Sequence, residues 1–552
     1  VKPIFLIAAL AMFATTETAY ATAKIGTGNV APLEPGLSVP NETPCVVDLV
    51  KHASFGATPA TFTYTPPTQC NGPWAKIVLS TDLAVTAGIQ YDRTATLFLG
   101  GVNLFFGTTS EPGKSLAPSW HVERDVTEDT ALLKTAQIGQ MFIANYQNST
   151  DNSTIYASAK LLFYPATPRY PAPRTPDMVI PLGPDPRGVT TALATGTATL
   201  SKSLTLPRNI ERARLQVYLQ SQNQDEFWYT CTTTALASEL QDCGGGTFRE
   251  GQASIDGTPV GLAPVFPWIY TGGIDPYLWS PTPGIQTLQF KPTTIELTPY
   301  VSQLNNGQPH AVALSVNGAN NYFSVTGALY LTLDHNSSLV KGAVLDNTLA
   351  ATVPQSTNTI TQNNGTASGT VTITARNAYK IRGYAETSHG KVETAVQVDD
   401  TYSNAQNFLV TGATTFNQSI KQTTDFTTTI TDRDLSGAHT IRSVDHYPLT
   451  LTYNYNTATD GSASQFTSLT QTLIQTADTR WNDIPLEHTE TRERISPSDT
   501  LSFSSSGSVT SHTGSSTGLY LQQTGKQCFA HHTAARNNLL TLYQNGPCAI
   551  SR

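Results

Sequence analysis

Charge is what this chain has least of. Of its 552 residues only 13% are Asp, Glu, Lys or Arg, against about 25% in a typical soluble protein. Lysine and arginine form no cluster, and the formal net charge is −8. Phosphate binding needs a basic face, so nucleic acid is excluded as a partner. After the N-terminus no apolar run is long enough to span a bilayer, which leaves no membrane role. There is no CxxC pair to suggest a metal site and no glycine-rich phosphate loop. Histidines such as His121 and His310 show no triad logic in the sequence. The pattern GSSTG (Gly514–Gly518) lacks a strand–turn–helix context and is discarded as a nucleophile elbow. No cofactor is called for.

What replaces charge is Thr, Ser, Asn and Gln, with 22 Tyr and 20 Phe, and with 39 Gly and 34 Pro spread along the chain. This is an all-β composition with polar outward faces. Lys2, the apolar stretch Ile4–Phe13 and the small residues of AYATA (Ala19–Ala23) read as a signal peptide over residues 1–23. The mature protein is therefore expected to be secreted or periplasmic. The 6 cysteines suit that compartment. Neighbouring pairing is favoured (Cys45 with Cys70, Cys231 with Cys243, Cys528 with Cys548), although six cysteines allow other schemes. CFAHH (Cys528–His532) reads as a disulfide beside a histidine pair, ahead of a zinc site.

Two segments repeat. DRTATLFLGGV (Asp92–Val102) matches FREGQASIDGTPV (Phe248–Val260) when Arg93 is set on Arg249. Both read as Arg, an alternating strand and a Gly-containing hairpin. Upstream, AKIVLSTDL (Ala75–Leu83) parallels RARLQVYLQ (Arg212–Gln220). Downstream, WHVERDVTEDTALL (Trp120–Leu133) parallels TTIELTPYVSQL (Thr293–Leu304), and two more strands follow in each copy. The same order twice predicts two tandem jelly-roll β-sandwiches packed side by side, at 24–165 and 190–335. Between them, 166–189 is Pro-rich and reads as a linker rather than a central strand. A third, C-terminal β-rich domain is expected at 336–552, closed by the last cysteine pair.

Chemistry concentrates before the Arg strand of each copy. The first copy has Tyr91, Asp92 and Arg93. The second has a long insertion, Ser221–Arg249, pinned by Cys231–Cys243, in which DEFWYT (Asp225–Thr230) sets two carboxylates beside three aromatics. Acids with aromatics suit a sugar face, since rings stack on CH groups while carboxylates accept hydroxyls. Covering of the core by Phe227 and Trp228 is the equal alternative. Trp268 and Trp279, in PVFPWIYTGGIDPYLWSP (Pro264–Pro281), are further stacking candidates or core residues, and Thr271–Gly273 would let backbone approach a ligand. For Asp92–Arg93 alone a rim salt bridge is the competing explanation.

At these residues the chain resembles the peptide-N-glycosidases, amidases that remove asparagine-linked glycans. The supporting stretches are YDRTATLFLGGV, TSEP (Thr109–Pro112), WHVERDVT, DEFWYT, FREGQASIDG, IYTGGIDPYLW, IELTP and GALYLTLD, in that order. They fit the plant-type acidic branch from about Pro44 to Asp334, with a looser match through the C-terminal third, and the flavobacterial type over the two sandwiches only. The resemblance implies a cleft at the sandwich interface, with Asp92 as primary catalytic acid and Glu226 as second essential carboxylate. Tyr91, Arg93, Asn145, Asp225, Trp228, Arg249, Trp268 and Trp279 are the expected substrate-binding set. Asn145 stands where the flavobacterial type has a third acid, which suggests altered contact with the first sugars and tolerance of core fucose. The implied reaction hydrolyses the Asn–GlcNAc amide of N-linked glycoproteins and glycopeptides, releasing the whole glycan and leaving Asp, in acidic medium, with the enzyme a monomer. A secreted glycan-binding protein and an endo-acting glycoside hydrolase using the same carboxylates are the alternatives.

Overall fold

The computed structural model describes residues 23–548. The expected signal peptide over 1–23 therefore lies almost wholly outside the described residues. Among the described residues no helix is long and apolar enough to cross a membrane.

Eight strands build the first sandwich: β1 (Cys45–Phe55), β2 (Ala60–Tyr64), β3 (Trp74–Val85), β4 (Thr94–Leu99), β5 (Val102–Thr108), β6 (Ser119–Asp125), β7 (Gln137–Ile143) and β8 (Ile155–Pro165). One sheet has the order β1-β8-β3-β6 and the other β2-β7-β4-β5, the double Greek key of a jelly roll. After β9 (Met178–Pro181) come β10 (Thr191–Leu193), β11 (Leu200–Leu204), β12 (Ile210–Ser221), β13 (Glu250–Ile255), β14 (Thr258–Pro264), β15 (Thr293–Glu296), β16 (His310–Asn317) and β17 (Phe323–Leu333). Their sheets run β10-β17-β12-β15 and β11-β16-β13-β14, the same topology again. The repeat is therefore topological as well as textual: β4 corresponds to β13 and β3 to β12.

One expectation needs correction. The Pro-rich stretch 166–189 is not only a linker, because β9 pairs with β17 from Ala328↔Pro181 to Leu331↔Met178. Its prolines flank Met178–Ile180, with Pro176 before and Pro181 after, so these three residues keep their amides for the ladder with β17.

Strand β17 explains how the sandwiches hold together. It is buried on both faces, and period-two alternation divides its side chains. Val325, Leu329 and Leu331 join the core of the second sandwich, while Ala328 and Tyr330 join that of the first. Across the same seam the Tyr330 hydroxyl donates to Asp129 at 2.8 Å, Phe106 packs on Tyr218 and Phe290, and Phe290 N donates to Phe106 O at 2.8 Å. The continuous apolar run GALYLTL is what a doubly buried strand requires.

From Lys341 onward a single 13-stranded sheet covers the second sandwich. It contains unusually long strands, such as Thr366–Thr387 and Gly390–Thr411, each of 22 residues. Its inward side chains, including Ile373, Tyr379, Ile381, Val396 and Ile420, share one core with the second sandwich. The three disulfides are Cys45–Cys70, Cys231–Cys243 and Cys528–Cys548.

Candidate active site

Four segments converge where the sandwiches meet: the residues entering β4, those leaving β5, the loop after β12 and the loop after β14. They bring together three carboxylates, Asp92, Glu111 and Glu226, each half-buried. The Asp92 backbone N–H donates to Glu111 Oε1 at 3.3 Å, and the Gly272 N–H donates to the Asp92 carboxylate. A methyl group on Gly272 would lie 2.3 Å from Glu111 Oε1 and 2.9 Å from Asp92 Oδ1. Only glycine leaves both carboxylates where they are, because any Cβ would push their ends aside.

The segment is tied down on both sides. Thr271 Oγ1 donates to Thr109 O at 2.8 Å, and Arg93 N donates to Thr109 Oγ1 at 2.8 Å. Trp279 Nε1 donates to Gly273 O at 2.8 Å. On the second sandwich, Gln222 Nε2 reaches across to Thr94 Oγ1 at 2.9 Å, and the Tyr270 hydroxyl bonds the Ser221 carbonyl.

All three acids hold their protons unusually tightly. Burial pushes Asp92 up to about 6, against donation from the Gly272 amide and the Arg93 charge. Burial and then the Asp92 charge push Glu111 up to about 7. Glu226 also rises to about 7, through burial and then the charges of Asp92 and Glu111. Desolvated like charges cannot all ionise together, so in mildly acidic medium the cluster offers a carboxylate and a carboxylic acid side by side. Because the acids interact, their protons leave in steps that belong to the cluster.

The residues expected to bind substrate divide sharply. Tyr91 is 59% exposed beside the acids, with the Arg93 guanidinium 5.7 Å from its ring centroid. Arg93 does not close a rim salt bridge on Asp92. Its Nη2 and Nε donate to Gln90 Oε1 at 2.6 and 3.1 Å, and Gln90 Nε2 in turn donates to Asn145 Oδ1 at 2.6 Å. Asn145 is thus a buried prop for Gln90 rather than a sugar contact, a correction to the reading above, and its own amide faces Ser153 O at 3.1 Å.

Five further expectations are corrected by burial. Trp228, Trp268 and Trp279 are 1%, 5% and 3% exposed, packed in the second sandwich's core, where no sugar ring can lie on their faces. The core alternative weighed for them is the one the structure adopts. Asp225 and Arg249 form a buried ion pair at 2.8 Å. Asp225 Oδ2 also accepts from the backbone of Asn320, Asn321 and Tyr322 at 3.0, 2.7 and 2.8 Å. This pair folds the loop that presents Glu226 and has nothing left for substrate.

Glu111 was missed. The sequence signal was present, since TSEP lies just past a strand whose partner begins at Asp92–Arg93. The hairpin between β4 and β5 pairs Thr94 with Thr108, so its spacing already sets Thr109–Glu111 beside Asp92. For a metal, Glu211, Asp334 and His389 could be considered, but Glu211 is engaged by Arg174 and Asp334 by the Ser388 N–H and hydroxyl at 2.6 and 2.7 Å. The CFAHH histidine His531 is buried and donates from Nδ1 to Leu33 O at 2.8 Å.

Comparison with known proteins adds the following. Residues 32–400 match the family described as peptide N-acetyl-beta-D-glucosaminyl asparaginase amidase A. Over 390 residues, 67% of each sequence, the chain is 28% identical to peptide-N4-(N-acetyl-beta-glucosaminyl)asparagine amidase A of Prunus dulcis. Among solved structures, PNGF-II aligns with 53% of this chain and 66% of its own at 12% identity and TM-score 0.36. Recombinant N-glycanase F aligns with 52% of this chain and 96% of its own at 14% identity and TM-score 0.32.

Proposed function

The chain belongs to the peptide N-acetyl-beta-D-glucosaminyl asparaginase amidase A family, and from that membership we propose that it releases N-glycans by hydrolysing the Asn–GlcNAc amide. The observation that carries the reading is the meeting of Asp92 and Glu111 from one sandwich with Glu226 from the other, each with a raised pKa.

An unactivated amide needs an aligned water, relief of charge on the carbonyl oxygen, and a proton for the departing nitrogen. Asp92, bonded by the Gly272 amide and close to the Arg93 charge, serves as the carboxylate of the cluster and takes the proton of the attacking water. Glu226, presented by the other sandwich and raised by burial and by the charges of Asp92 and Glu111, delivers a proton to the leaving nitrogen. Arg93, held by Gln90, faces the negative charge that develops on the amide oxygen. The amide C–N bond breaks and water supplies the new C–O bond. The products are an Asp side chain and a glycosylamine, which decays to free glycan and ammonia.

The raised pKa values support work in acidic medium, where the acid partners remain protonated. Tolerance of core fucose follows from the family resemblance. Export is supported by the disulfides and by the composition of the first 23 residues. Mass spectrometry of a digested glycopeptide tests the reading. An amidase converts Asn to Asp, a gain of about one mass unit. GlcNAc left on Asn would make it a glycoside hydrolase, and binding without any mass change would make it a lectin. Running the assay across acidic pH, with and without core fucose, tests the finer claims.

A further inference from the structure

The face that the C-terminal sheet turns toward the second sandwich is only partly apolar. Along two neighbouring strands, Gly390–Thr411 and Thr415–Arg433, period-two alternation also sends Tyr402, Asn404, Gln406, Gln418 and Gln422 inward, and all five are buried. Buried amides are costly unless paired. Three of the four amides bond backbone of the Glu226 loop, while Gln422 Oε1 accepts from Tyr402 and Asn404 at 2.9 Å each. Asn404 Nδ2 donates to Tyr229 O at 2.9 Å, Gln418 Nε2 to Thr230 O at 2.8 Å and Gln406 Nε2 to Cys231 O at 3.0 Å. The Tyr402 hydroxyl donates to Thr247 O at 2.5 Å. Three consecutive carbonyls, starting three positions after Glu226, are thus held by side chains from another sheet. The loop is irregular and has no ladder of its own to satisfy these carbonyls.

A second grip lies on the segment carrying Gly272. Gln471 donates from Nε2 to Pro267 O at 2.7 Å and accepts from Ile285 N at 3.1 Å. Gln465 Nε2 donates to Asp275 Oδ2 at 2.8 Å. All of these donors lie beyond residue 400, where the family match ends.

We propose that the C-terminal sheet is a positioning device for the carboxylate site, with Asn404, Gln406 and Gln418 gripping the Glu226 loop and Gln465 and Gln471 the Gly272 segment. It rests on the functional reading above. None of these five is a catalytic residue, since they act only through the backbone they hold. Sub-ångström placement of Glu226 against Asp92 is what the grip supplies, and misplacement on that scale slows catalysis without abolishing substrate binding.

The test compares the full chain with the shape-preserving double variant Asn404→Leu, Gln406→Met, and with Val396→Ala further along the same strand as a control for lost stability. Hydrogen exchange is measured on the loop, and kcat and KM on a glycopeptide. The double variant is expected to exchange faster at Phe227–Thr232, with β4 and β13 unchanged. Its kcat should fall by about 10–100-fold and its KM stay within about threefold, while Val396→Ala keeps its kcat. Faster loop exchange with an unchanged kcat would overturn the proposal. So would unchanged exchange, or an equal kcat loss in Val396→Ala. If the native chain releases no glycan the functional reading fails, and the exchange arm still reports whether the sheet holds the loop.

Discussion

The two sandwiches reach the site through equivalent loops, and the loops solve different problems. Before β4 the approach is short, and its arginine, Arg93, is half-buried beside the acids with Gln90 holding it. Before β13 the approach runs from Gln222 to Arg249 and must fold itself. There the corresponding Arg249 is buried against Asp225 and the carbonyls of Gly246 and Phe248. The same residue type at the same topological position sits beside the acid cluster in one copy, bonded to Gln90, and is a structural tie in the other. A repeated fold therefore duplicates positions without duplicating chemistry. A long loop spends its charged groups on its own conformation, because buried backbone and charge must be satisfied before anything is free for a ligand.

That contrast can be broken in order of expected effect. Replacing Asp92 by Asn should cost about 10²–10⁴-fold in kcat/KM with unchanged circular dichroism. Activity within a factor of two of native would remove Asp92 from the mechanism. Arg249→Ala strands the buried Asp225 charge and should lower stability by about 3–5 kcal/mol in denaturant unfolding. Arg93→Ala removes two hydrogen bonds to Gln90 Oε1, which keeps the Tyr91 amide, and should cost about 1 kcal/mol but reduce kcat. Equal stability losses in the two variants would show that the copies do not differ as described. Gly272→Ala pushes a methyl group onto the Glu111 and Asp92 carboxylates, whose ends can swing aside. The variant should fold normally and lose about tenfold in kcat, which steady-state kinetics on a glycopeptide would register.

The smallest effect concerns pH. The site acids are raised to about 6–7, above the ordinary carboxylate range of about 4. Between these limits the folded chain binds protons that the unfolded chain has released, so stability falls as pH rises toward 7. Glu111→Gln removes one such group. It should raise Tm by about 2 °C at about pH 7.5 and change it less at about pH 4, while lowering activity. A lower Tm at the higher pH would mean Glu111 is stabilised as a charge and not strained by burial.

Legibility followed the same divide. The alternating stretches and the matched order of pieces announced two sandwiches of one topology, and the registers bear that equivalence out strand by strand. Asp92 and Glu226 stood out as acids beside aromatics in a chain poor in charge. The aromatics themselves misled, because a Trp in an irregular loop carries the same letters whether it faces a sugar or roofs the core. Trp228, Trp268 and Trp279 all roof the core. Glu111 was within reach of the β4–β5 hairpin, which sets the residues after Thr108 beside those before Thr94, but no neighbouring aromatic or arginine marks it as Arg93 marks Asp92.

The chain's own letters determined its all-β class and its repeat, favoured the cysteine pairing that the structure has, and marked Asp92 with Glu226 or Asp225 as acids worth watching, since each of these is a matter of local period, spacing or composition. Only tertiary structure decided which charges are free. Whether an arginine or aspartate faces substrate or a buried partner depends on groups brought from elsewhere in the chain, such as the amides of Asn320–Tyr322 around Asp225. Desolvation, the largest force on the three site acids, likewise exists only after the sandwiches and the covering sheet have closed around them.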